Sequence, residues 1–143
     1  HKARKVLAVP NFRKGIISFL DMESWKLIKE IKTLGPGFYM QTHKNSSYIW
    51  TEVLFGPNKD VIHVIDKSSL EIVKTLRPAA GKKSAHVEFT RDGKHALVSI
   101  WEKQGAIIVY DAVTLKEIKR IPMKNPSGKY NVFNRTRYVK TND

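Results

Sequence analysis

Three stretches of this chain align without a gap, and their spacing limits the possible folds more than any other feature. "GIISFLDMESWKLIKEIKTL" begins at Gly15, "DVIHVIDKSSLEIVKTLRPA" at Asp60 and "GAIIVYDAVTLKEIKRIPMK" at Gly105, so the starts lie 45 residues apart, twice. Each stretch holds an apolar run, an aspartate (Asp21, Asp66, Asp111), a polar turn, a large apolar residue (Trp25, Leu70, Leu115) and an alternating run. That order predicts a β-hairpin whose turn is held by the aspartate through nearby backbone groups. The "LKEIKRI" piece has the Lys and Glu content of a helix, but it is short, alternates and follows a turn, so strand is predicted there.

A second hairpin precedes each of these. In "SAHVEFTRDGKHALVSIW" two apolar stretches flank "RDGK", and "GFYMQTHKNSSYIWTEV" matches it with "HKNSS" in the turn. "ARKVLAVPNF" supplies the later strand of such a pair. One unit is therefore four antiparallel strands in 45 residues, the period of a β-propeller blade. The fold class expected is all-β, with about two and a half to three blades of a larger ring. The expected boundaries are a half blade over 1–34, a blade over 35–80, a blade over 81–124, then a ligand-side turn and the start of a further strand over 125–143. The first residues, "HKARKVLAVP", lack an initiator Met and read as a cut inside a longer protein.

Composition removes several classes. With no cysteine, disulfides, thiolate metal sites, iron–sulfur ligation and c-type haem attachment are excluded within this stretch. No apolar run approaches the roughly 18 to 20 residues of a membrane helix. The net charge of +13 suits an anion-binding surface or a lysine-rich solvated one. Its spread along the chain, never in a block of five, favours the solvated surface.

Enzyme motifs do not appear. The histidines His1, His43, His63, His86 and His95 form no HExxH or other close metal pair, and there is no GxSxG, Walker loop or GxGxxG. His63 alternates within "VIHVID" and reads as a strand residue, and His95 as an exposed one; His43 and His86 have the choice of a structural place or a central channel. More informative are the loops between the second and third strands of each unit: "PNFRK" (10–14), "LFGPNK" (54–59) and "WEKQ" (101–104). In propellers such loops ring the channel mouth and hold ligands. Trp101 at this place either packs between blades or walls a flat ligand. "NPSGKYNVFN" (125–134) is a turn on any account, with Pro126 fixing φ and Gly128 permitting close approach. Whether it links blades or holds a ligand is open on turn chemistry alone.

The stretches "GPGFYMQTHKNSSYIWTEV", "HVEFTRDGKHALVSIWE", "IIVYDAVTLKEIKRI" and above all "PSGKYNVFN" resemble the d1-haem propeller of the cytochrome cd1 nitrite reductase family. The resemblance implies an eight-bladed ring that binds haem d1, an isobacteriochlorin bearing several carboxylates. It implies that Trp101, Gly128 and Tyr130 line the macrocycle and that Lys129 belongs to the same motif. It further implies a periplasmic protein, an electron-donating c-type cytochrome domain or partner, and one-electron reduction of nitrite to nitric oxide. The histidines that ligate and protonate in the reductase match none of those here. The motif is equally similar to the d1-haem biosynthesis propellers, which hold a tetrapyrrole precursor. A non-catalytic interaction scaffold is the third expectation. Nucleic-acid binding is not expected, since basic and aromatic residues are not interleaved on one surface.

Overall fold

The aspartate turns come first, because they repeat to the atom. Asp21 Oδ1 accepts the amides of Glu23 and Ser24, each at 2.9 Å. Asp66 Oδ1 accepts those of Ser68 and Ser69 at 2.8 Å, and Asp111 Oδ1 those of Val113 and Thr114 at 3.0 and 2.7 Å. The large apolar residue four positions after each aspartate closes the turn. Trp25, Leu70 and Leu115 sit in the left-handed region, at φ 57°, 57° and 59°, and each donates its N–H to the aspartate carbonyl. The extra residue makes a bulge in each hairpin, where the register shifts at Phe19/Leu20, Val64/Ile65 and Val109/Tyr110.

In this computed structural model, which describes residues 4–131, the hairpins build three antiparallel sheets. The first holds β1 (Val6–Asn11), β2 (Ile16–Asp21) and β3 (Leu27–Lys32) in that order. The second holds β4 (Met40–Thr42), β5 (Tyr48–Glu52), β6 (Ile62–Asp66) and β7 (Glu71–Leu76). The third holds β8 (Ser84–Phe89), β9 (His95–Ile100), β10 (Gly105–Asp111) and β11 (Glu117–Met123). The "LKEIKRI" piece is strand, as its alternation predicts. The part of the further strand expected from residue 132 onward lies outside the described residues.

Sequential pairing without crossover is propeller-blade topology, and two cores stack the blades. Trp50, Ile62 and Val64 of the second sheet meet Phe89, Val98, Ile100, Ile108 and Tyr110 of the third. On the second sheet's other face, Ile65 and Leu70 meet Ile17, Phe19 and Ile31 of the first. A sheet covered on both faces needs a strand buried at every position, which explains the unbroken burial of Ile62 to Ile65 in β6, with His63 as the polar member of the run.

The left-handed residues allow a stability prediction. Trp25 is 64% exposed, whereas Leu70, at the same place in its repeat, is 2% exposed and packs in the core. A glycine relieves the left-handed strain in both, a gain of about 1 kcal/mol. Trp25→Gly is therefore expected to raise the urea midpoint, while Leu70→Gly lowers it because lost packing outweighs that gain.

Candidate functional site

Antiparallel order sends the β1–β2, β5–β6 and β9–β10 loops to one rim, together with the connections between sheets. The aspartate turns occupy the opposite rim. Backbone hydrogen bonds bind the loop rim together: Leu54 N–H to Pro36 O (3.1 Å), Ser84 N–H to Lys59 O (2.9 Å), Trp101 N–H to Lys83 O (2.8 Å) and Asn125 N–H to Glu102 O (2.9 Å).

On this rim a run of aromatic rings stands in solvent contact. Phe12 packs edge-on against Phe38 and Phe55, with centroids 5.9 and 5.2 Å apart. Phe38 continues to Tyr39 at 4.7 Å, and Tyr39 to His86 at 4.1 Å with the rings tilted 34°. The Lys83 ammonium lies over both the Phe55 ring (5.8 Å) and the Trp101 ring (5.4 Å), linking Trp101 to the run by cation–π contact. Trp101 is 41% exposed, and Phe12, Phe38, Tyr39 and Phe55 are also exposed. Contiguous exposed apolar surface of this kind marks a binding face.

The other expected residues lie nearby in a second depression. Gly128, Lys129 and Tyr130 help line a groove of about 720 Å³ on the face of the third sheet away from the core, with Leu97, Ile107 and Ile121 as its floor. Trp101 is not part of that lining. Tyr130 is 66% exposed, and its hydroxyl lies over Gly128, where a Cβ would come within 2.8 Å of it. The absent side chain at Gly128 therefore makes room for Tyr130 itself. Lys129 turns inward: its ammonium donates to the His86 carbonyl and, at 2.7 Å, to Ser99 Oγ, which in turn donates to Ser127 O at 2.7 Å. Burial lowers the Lys129 pKa to about 8, against the opposing pull of Glu52 and Glu88.

The histidines separate cleanly. His43 is buried beside the opposite rim: its Nδ1 accepts the Asn45 N–H at 3.1 Å, so Nε2 carries the hydrogen given to Arg91 O at 3.1 Å. His63 is buried, accepts the Leu34 N–H on Nε2 at 3.1 Å and pairs Nδ1 with Thr75 Oγ1 at 3.0 Å. Both are structural. His95 is half-buried after the "RDGK" turn. His86 reaches the rim, and His1 lies outside the described residues.

Burial, reinforced by the Arg77 charge, holds His63 down from an ordinary 6.5 to about 4. Between those values the unfolded chain takes up a proton that the folded chain refuses. Stability is thus whole above 6.5 and falls as pH drops toward 4, by about 3 kcal/mol from this residue. Urea midpoints of parent and His63→Gln across this window are expected to diverge, with a flatter slope for the variant.

The rim is also where the positive charge collects. Its loops carry Arg13, Lys14, Lys59, Lys82, Lys83, Lys103 and Lys124, while Asp60 pairs with Arg77 and Glu102 with Lys59. The opposite rim also carries cations, among them Lys26, Lys44, Lys67, Arg91, Lys94 and Lys116, but sets Asp21, Asp66, Asp92 and Asp111 beside them. Folding thus gathers on one rim a share of the charge that is spread along the sequence.

The model of the cytochrome D1 heme domain matches residues 1–135. The chain belongs to that family. Within it, the chain is 53% identical over 136 residues to dihydro-heme d1 dehydrogenase of Pseudomonas aeruginosa, covering 95% of this chain and 28% of the relative. It is 31% identical over 120 residues to Protein NirF of the same organism, covering 84% of this chain and 30% of that protein. The solved structure of dihydro-heme d1 dehydrogenase NirN in complex with DHE superposes with a TM-score of 0.89 at 54% identity, over 92% of this chain and 28% of that one. Kuenenia stuttgartiensis hydrazine synthase shares the fold, with a TM-score of 0.72 at 19% identity over 85% of this chain and 35% of that one. The chain spans less than a third of the length of its curated relatives. In this d1-haem family member Trp101 stands on the rim, and the aromatic run extends well beyond it.

Proposed function

We propose that this chain forms part of a periplasmic propeller that binds a haem d1 precursor and acts in haem d1 biosynthesis. The observation that carries the reading is 53% identity to a dihydro-heme d1 dehydrogenase across 95% of the chain. The rim suits such a ligand. Trp101 and the Phe12–Phe38–Phe55 run offer flat apolar walls, and the lysines around them suit ring carboxylates. Tyr130 and Gly128 line the neighbouring groove.

Conversion of a dihydro-haem to a haem removes two hydrogen atoms, so two electrons and two protons leave the substrate. The electrons pass to a c-type cytochrome domain or protein. His86, Tyr39 and Tyr130 are the rim groups able to carry protons. The reductase reading, one-electron reduction of nitrite to nitric oxide, rests on family membership alone.

The test uses the intact protein. Addition of dihydro-haem d1 with an oxidised c-type cytochrome is expected to give the haem d1 spectrum and a reduced cytochrome, and haem-d1-loaded protein is expected to leave nitrite unchanged. Nitric oxide formation from nitrite, or the absence of any spectral change with tetrapyrrole, would sink the proposal.

A further inference from the structure

His86 holds a left-handed backbone, φ 52°, inside the irregular step of β8 between Ala85 and Glu88. Residues with a Cβ keep such a conformation where the surroundings over-determine it, and such places gather at binding sites. Here two ionisable side chains do so. The Glu52 carboxyl, buried at the end of β5, accepts the His86 N–H at 2.7 Å. The Lys129 ammonium takes the His86 carbonyl and is itself fixed by Ser99 Oγ at 2.7 Å.

The same carboxyl reaches the other ring of the stacked pair. Its second oxygen accepts the Tyr39 N–H at 3.2 Å, and the Tyr39 carbonyl accepts Thr51 Oγ1–H at 3.1 Å. One carboxyl group therefore tethers the main chains of both rings, across two sheets. The His86 imidazole makes no hydrogen bond among the described residues and is half-buried at the rim. Burying an acid and a lysine is a poor way to gain stability. Burial raises Glu52 to about 7, a cost only partly offset by the two amides and the nearby Lys129 and Lys83 charges. An arrangement this costly makes sense if its product is geometry.

We propose that Glu52 and Lys129 are positioning residues that clamp the His86 main chain, so that its imidazole, stacked on Tyr39, contacts the bound tetrapyrrole. The inference rests on the tetrapyrrole-binding reading above.

Absorption titration of the intact protein with haem d1 gives the affinities of the parent, His86→Ala, Glu52→Gln and the double variant. Glu52→Gln keeps the size but sets an amide N–H against one of the two backbone donors. Each single change is expected to weaken binding about tenfold, and the double variant is expected to be no weaker than His86→Ala, because Glu52 acts through His86. Multiplicative losses overturn the clamp, as does unchanged affinity in either single variant. If Glu52→Gln does not fold, Lys129→Met completes the same cycle.

A ligand-free measurement is independent of the functional reading. Burial and the Lys129 charge hold the His86 pKa down. An NMR titration of His86 is expected to show a higher pKa in Lys129→Met, and no change would overturn the clamp. A parent protein that binds no haem d1 would overturn the functional reading, while the imidazole titration still decides whether the clamp exists.

Discussion

Trp50→Ala is expected to cost about 3–5 kcal/mol of folding stability, the largest loss from any single truncation in the seam between the second and third sheets. The indole is fully buried, 5.6 Å from the Tyr110 ring and 6.4 Å edge-on from Phe89, and no neighbour can move in to fill its place without breaking a strand ladder. Its Nε1 has no hydrogen-bond partner among the described residues, so part of the native cost is an unsatisfied donor. Trp50→Phe removes that donor and keeps most of the ring, and its loss should be well under half as large. Equilibrium urea unfolding of both variants distinguishes the contributions. Equal losses would show that volume is not the deciding quantity.

Gly105→Ala should damage both the fold and the rim. A Cβ at this position would lie 2.1 Å from the Ile100 carbonyl oxygen, 2.8 Å from that of Glu102 and 2.8 Å from Pro126 Cδ. Two of these atoms are backbone and the third belongs to a fixed ring, so relief requires the chain to move. The atoms flank Trp101 on one side and begin the Gly128–Tyr130 segment on the other. We expect a stability loss of about 2 kcal/mol or more, in the range of overpacking or above it, together with at least about tenfold weaker tetrapyrrole binding. Thermal unfolding and absorption titration measure the two. A loss of stability with intact affinity would show that the 125–130 segment holds its place without Gly105.

The contrast between these two residues and the clamp shows which parts of the protein its sequence makes legible. Hairpin turns are local. Asp21, Asp66 and Asp111 bond to amides two and three residues away, so a repeat of 45 residues reveals them directly. The propeller architecture follows from the same period, and Trp101, Gly128 and Tyr130 carry the family resemblance. The aromatic run is harder to see. Phe12 and Phe55 fall one residue away from the phase of Trp101 in the repeat, a register too loose to mark the three as one cluster. Phe38 and Tyr39 come from a different connection and meet the others only because the rim converges.

Glu52 left no comparable signal. In "WTEV" it looks like the solvated end of a strand, yet it is buried because residues from two other segments fold over it. Lys129 lies in the motif that carries the resemblance, and only the fold shows that it turns inward to a backbone carbonyl. Pairings of this kind depend on sheet-to-sheet packing, which no local pattern encodes.

The excess of lysine and arginine over acids on the loop rim also bears on arrival as distinct from fit. A polycarboxylate approaching the loop rim enters an attractive field about 10 Å out at 0.1 M salt, before any ring is touched. Capture from dilute solution is thus governed by ionic strength, whereas release depends on the aromatic contacts, which salt barely screens. Approach to the rim and fit against it are thereby under separate physical control.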